Sequence, residues 1–107
     1  MRSSSLPARS SATRMGAHAS DATRLLKTLA NEKRLMILCL LVEDERSVGE
    51  LNACVELSQS ALSQHLAVLR EEGLVHTRRD AQSIYYSLAE GPAQRVIDTL
   101  HSIYCTD

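Results

Sequence analysis

Residues 57–75 read LSQSALSQHLAVLREEGLV. Leu62, Leu66 and Leu69 recur at helical spacing, Ser58 stands where an N-cap oxygen is needed, and Gly73 stands where a left-handed terminator belongs. The stretch therefore reads as one amphipathic helix. Its other side carries Ser60, Ser63, Gln64 and Ala67, all small or polar and none charged. Just upstream, Ser47 and Glu50 form the S-x-x-E pattern of a capping box, which opens a short helix with Val48, Leu51 and Val55 facing inward. Two helices joined by the few residues around Glu56 and Leu57 outline a helix-turn-helix.

Working outward from this pair, Leu74 to Leu88 switches to a period of two. Val75, Thr77, Ile84, Tyr86 and Leu88 alternate with polar neighbours on either side of Asp80, Ala81 and Gln82, which predicts a β-hairpin. Ala93, Val96, Ile97, Leu100, Ile103 and Tyr104 then share one face of a last helix that follows Gly91 and Pro92. Upstream, Asn31 caps a helix and Glu32 suits its positive end, while Leu35 to Val42 is apolar on every side, the pattern of a helix buried from all directions. A charged turn, Glu43 to Arg46, follows it. Ala22, Leu25, Leu26 and Leu29 give the first helix one apolar stripe, and ordered structure is expected to begin near His18. The fold class is mainly α with a two-stranded β-hairpin, in the order of a winged helix-turn-helix. The first and last helices carry more apolar surface than a small core covers, so a twofold dimer through them is expected.

A chain of 107 residues with 44% hydrophobic content supports one core and no second domain. The expected organisation is a disordered tail over 1–17 and one DNA-binding and dimerisation domain over 18–107. The opening run to Met15 holds Arg2, Arg9 and Arg14 among serines without an acid, as organelle transit peptides do. A disordered tail, or a true start at Met15, is favoured over that reading. No stretch approaches the roughly 18 apolar residues of a spanning helix, so no membrane association is expected. Three cysteines, Cys39, Cys54 and Cys105, are too few and too scattered for a secreted disulfide framework, which favours a reducing, cytoplasmic location.

The net charge of -1 and pI near 6.4 provide no bulk attraction to nucleic acid, so any such contact has to be local. The outer side of the 59–70 helix suits that task. Short hydroxyls approach base edges closely, and the Gln64 amide both donates to and accepts from adenine. Gln59, in the first turn, joins Ser60, Ser63 and Gln64 as a candidate base contact. Taken alone, such a face is as often a solvated surface as a reading surface. Arg78 and Arg79 just before the hairpin tip shift the balance, because a wing there touches phosphate or the minor groove. His65 is included in the candidate DNA-binding set, although its place beside the leucines also suits packing.

The runs LANEKRLMIL, SVGEL, LSQSALSQHLAVLREEGLV and TRRDAQSIYYSL resemble the ArsR/SmtB family of winged helix-turn-helix repressors across roughly residues 22–105. The resemblance implies a homodimer on double-stranded DNA with an inverted-repeat operator, the fourth helix reading bases and the hairpin acting as wing. The tip Asp80 to Gln82 departs from the family in lacking the glycine that many members carry.

Metal-sensing members place two thiolates in an E-L-C-x-C pattern. Here the matching run is Glu50, Leu51, Asn52, Ala53 and Cys54, which keeps one thiolate. Another metal-binding version uses Asp and His ligands on the last helix, where only Asp98 and His101 are found. No metal and no cofactor are expected, and metal sensing is retained only as an alternative. Cys39 lies in the apolar second helix and Cys105 ends the last helix away from its stripe. On residues alone, a small buried hydrophobe beside an inert terminal thiol is the commoner arrangement. The sequence also resembles the persulfide-responsive branch of the family, and this favours a redox-sensing pair: Cys39 and Cys105 match its two positions, whereas Cys54 does not. The effector implied is a reactive sulfur species or another oxidant, captured as a disulfide or polysulfide bridge. An anti-silencing activator is the other alternative within the family. A thiol enzyme is disfavoured, since no C-x-x-C pair, Ser/His/Asp arrangement or Gly-rich phosphate loop is present.

Overall fold

Capping chemistry sets most of the helix boundaries in the computed structural model, which describes residues 11–105. Helix α2 (Glu32–Glu43) starts at Asn31, whose side-chain oxygen accepts the Arg34 backbone N–H at 3.0 Å. Helix α3 (Val48–Cys54) carries the full capping box. Ser47 Oγ accepts the Glu50 N–H at 3.1 Å, and Glu50 Oε1 accepts the Ser47 N–H at 2.8 Å. Helix α4 (Gln59–Glu71) is capped by Ser58 Oγ on the Ala61 N–H. It ends at Gly73, whose φ of 74° only glycine adopts without strain. There the Gly73 N–H donates to the Arg70 carbonyl and the Leu74 N–H to the Leu69 carbonyl, so the last turn's orphan acceptors are satisfied.

The expected hairpin is present as strands β2 (Val75–Asp80) and β3 (Ser83–Leu88), paired antiparallel from Val75↔Leu88 to Asp80↔Ser83. Its two-residue tip is closed without glycine by Ala81 at φ 57°. A further short strand, β1 (Arg46–Ser47), pairs with Tyr85 and Tyr86 of β3, giving a sheet of order β1-β3-β2. Sequence reading placed only a charged turn there, because two residues are too short to show a period.

Helix α1 (Ser11–Leu29) starts at Ser11 rather than near His18. Residues 11–17, expected in the tail, are helical: Ala12, Arg14, Met15 and Ala17 are strong helix formers, and one glycine, Gly16, costs only about 1 kcal/mol. This segment carries no apolar stripe, so periodicity does not mark where the helix begins. The rest of the expected tail, 1–10, lies outside the described residues.

Leu62, Leu66 and Leu69 of α4 are buried with Ile37, Leu38 and Leu41 of α2, Leu51 of α3 and Ile97 of helix α5 (Pro92–Tyr104). Each such side chain contributes roughly 1.5–3 kcal/mol on leaving water, so this single core positions the α3–α4 pair. Helix α2 is not buried from all directions as its composition suggested. Met36 is 40% exposed and Cys39 and Leu40 are half-buried, so one side of the helix opens to a surface depression. Met15 and Leu26 of α1 and Ile103 and Tyr104 of α5 are likewise more than half exposed.

Candidate nucleic-acid interface and thiol site

The burial of the leucine side of α4 turns the opposite side outward. Gln59, Ser60, Ser63, Gln64 and Ala67 are all exposed, forming an uncharged strip of hydroxyls and amides at the surface. The wing stands on the next element after this helix, joined through Gly73 and Leu74. His65 does not share that strip. Its ring is half-buried and its Nδ1 lies 3.5 Å from Arg34 Nη1, a contact between α4 and α2. Burial first, and the Arg34 charge second, hold the imidazole below its ordinary pKa. Arg34 itself donates from Nε to the Thr28 carbonyl at 2.7 Å, tying the end of α1 to α2.

The two wing arginines differ. The Arg79 side chain is exposed and makes no hydrogen bond or ion pair among the described residues. Arg78 is held in a fork by Glu45, Nη2 to Oε1 at 2.6 Å and Nε to Oε2 at 3.0 Å, and its guanidinium lies 4.6 Å from the centre of the Tyr85 ring. The hydrogen bonds from Arg78 keep the Glu45 carboxyl below the usual carboxylate range. Sequence reading missed Glu45 because a contact spanning 33 residues leaves no local signal. A second fork, Arg24 to Glu72 at 2.8 and 2.9 Å, fastens α1 to the end of α4.

Apart from this face, α2, α3 and α5 meet around a depression of about 210 Å³. Cys39 and Cys105 both line it, together with Glu43 and His101. All three cysteines are free, Cys39 half-buried and the other two exposed. Burial raises the Cys39 thiol, and the neighbouring Cys105 and Glu43 raise it further. His101 Nε2 is buried without a hydrogen bond and lies 3.6 Å from Glu43 Oε2, an electrostatic approach between α5 and α2. Cys54, set outside the pair on sequence grounds, lines the same depression. Among the described residues no group of three or more His, Cys, Asp and Glu is arranged to hold a metal ion.

Residues 31–77 match the family described as bacterial regulatory protein, arsR family. Over 91 residues, 85% of this chain and 84% of the relative, the sequence is 53% identical to the transcriptional activator HlyU of Vibrio cholerae. The chain belongs to the ArsR family. A further relative of this ArsR-family chain, the biofilm growth-associated repressor of Agrobacterium fabrum, is 50% identical over 85% of this chain and 78% of its own. The solved structure of reduced HlyU from Vibrio cholerae superimposes with a TM-score of 0.82 at 52% identity, covering 87% of this chain and 98% of that one. As an ArsR-family protein the chain is a transcriptional regulator with a winged helix-turn-helix: α3 and α4 form the helix pair and β2–β3 the wing. Its relatives are regulators of transcription, not enzymes. No helix among its described residues is long and apolar enough to cross a membrane.

Proposed function

We propose that this ArsR-family chain is a homodimeric repressor whose grip on an inverted-repeat operator is released when Cys39 and Cys105 are oxidised or persulfidated. The observation that carries the reading is the shared depression: two thiols far apart in sequence, one on α2 and one at the end of α5, line the same hollow between α2, α3 and α5. Its chemistry is thiolate attack on a sulfane sulfur or peroxide, followed by capture of the oxidised sulfur by the second thiol. A polysulfide spans a gap that a disulfide, with Cα atoms roughly 4.4–6.8 Å apart, does not.

The exposed apolar residues of α1 and α5, Met15, Leu26, Ile103 and Tyr104, support a second copy packed on these helices. Two α4 helices related by a twofold axis then meet successive major grooves about one turn apart. A bridge from α2 to α5 connects the reading scaffold to the dimer-forming helix, and moving one against the other spoils that spacing. Gln59, Ser60, Ser63 and Gln64 serve as base contacts and Arg79 as the wing's phosphate contact. Arg78 joins it only by giving up Glu45, and His65 supports the helix from behind.

Operator binding by the reduced protein, loss of binding after polysulfide treatment and recovery with dithiothreitol are the expected results. A Cys105→Ser variant is expected to bind and to stay bound under the same treatment. If that variant released DNA as readily as the unaltered protein, the switch would be withdrawn. A positively acting role is the second reading, favoured by the 53% identity to an activator. It predicts a footprint overlapping that of a nucleoid silencer.

A further inference from the structure

We infer that Cys54 is a second resolving thiol of this switch, competing with Cys39 to capture sulfur oxidised at Cys105; the inference rests on the thiol-switch reading above. Three cysteines from three elements, α2, the C-terminal residue of α3 and the cap of α5, line one depression of about 210 Å³. Of the three, Cys54 and Cys105 are exposed and Cys39 is half-buried. Exposed thiols meet a dissolved oxidant first, whereas Cys39 is half-buried and burial raises its thiol, which disfavours the thiolate. Cys54 is therefore better placed than Cys39 to act as a nucleophile, and it lies on the helix-turn-helix itself.

The steps balance with a hydropersulfide, R–S–S–H, as the oxidant. The Cys105 thiolate attacks the terminal sulfane sulfur, forming Cys105 Sγ–S–H, and R–S⁻ leaves with the electron pair of the broken S–S bond. The Cys54 thiolate then attacks Cys105 Sγ. An Sγ–Sγ bond forms, the Sγ–S bond breaks, and the sulfane sulfur leaves as HS⁻. The two protein thiols lose their protons to solvent and two electrons in all, and the hydropersulfide is reduced to R–SH and H₂S. The product fastens α3 directly to α5, so the constraint reaches the helix pair without passing through α2.

Cys39, Cys54 and Cys105 fall on separate tryptic peptides, bounded by Arg34, Arg46, Arg70 and Arg95, so the bridges are distinguishable by mass. The test treats the reduced full-length protein with glutathione persulfide, alkylates the remaining thiols, maps cross-linked peptides and measures operator affinity on the same samples. Unaltered protein is expected to yield Cys54–Cys105 peptides beside Cys39–Cys105 peptides. Cys39→Ser is expected to yield Cys54–Cys105 alone and still release DNA, and Cys39→Ser with Cys54→Ser to yield no bridge and hold DNA. If Cys54 is alkylated in full while Cys39–Cys105 forms, the inference is overturned and the switch reading stands. If no bridge to Cys105 forms in any sample, both fall. The mapping of unaltered protein decides the matter even where a variant folds poorly.

Discussion

Arg78 and Glu45 are joined by two hydrogen bonds, at 2.6 and 3.0 Å, that fix the base of the wing to the turn after α2. A cation suited to phosphate is thus already occupied in the free protein, and DNA has to compete with Glu45 for it. Glu45→Gln removes the closer competing charge and leaves Arg78 with only the longer approach to Asp80, at 3.7 Å. The slope of log affinity against log salt is then expected to steepen by about one unit, with tighter binding at low salt. Fluorescence anisotropy over a salt series measures both, and an unchanged slope with unchanged affinity would show that Glu45 does not keep Arg78 from the DNA.

Leu62 and Gln64 occupy opposite sides of α4, one fully buried and the other exposed. Leu62→Ala is expected to cost about 2–5 kcal/mol of stability, a large share of the roughly 5–15 kcal/mol of a typical domain. Gln64→Ala is expected to change stability by less than about 0.5 kcal/mol while weakening discrimination at one base pair by about 1–3 kcal/mol. Urea unfolding and binding to single-substituted operators separate the two effects.

Ala81 closes the wing tip at φ 57°, a left-handed conformation that costs an L-residue roughly 1–2 kcal/mol. Ala81→Gly relieves this strain but adds freedom to the unfolded chain worth roughly 0.5–1 kcal/mol. The expected net change is a gain of up to about 1 kcal/mol, and Ala81→Val is expected to lose stability. Paired urea curves test the order Gly, Ala, Val.

Burial and the Arg34 charge hold His65 below its ordinary pKa of 6.5. The folded state therefore binds this proton less readily than the unfolded chain does. The contribution of the neutral ring is complete above about pH 6.5 and is lost as pH falls below it, because the unfolded chain takes up the proton first. The thermal midpoint of the unaltered protein is expected to fall more steeply below pH 6.5 than that of His65→Gln. Parallel profiles for the two proteins would contradict the assignment.

The sequence by itself determined the elements whose signals are local. The Ser47–Glu50 capping box, the Ser58 cap, the Gly73 terminator and the leucine period of α4 each arise within a few residues, where chain geometry forces the partners together. The outward face of Gln59, Ser60, Ser63 and Gln64 followed from that period. The hairpin tip at Asp80 to Gln82 was legible from the alternation on either side of it, but the left-handed backbone of Ala81 was not, because no glycine marks it. The start of α1 was not legible either, because exposed alanines carry no stripe. Only the tertiary structure decided that Arg46 and Ser47 pair as a strand, that Glu45 takes Arg78, that His65 leans on Arg34, and that Cys54 joins Cys39 and Cys105 in one depression. Each of these contacts joins residues brought close by packing of the shared aliphatic core. Periodicity records which side of an element is buried, but the partner across that core is selected by how all the elements pack at once.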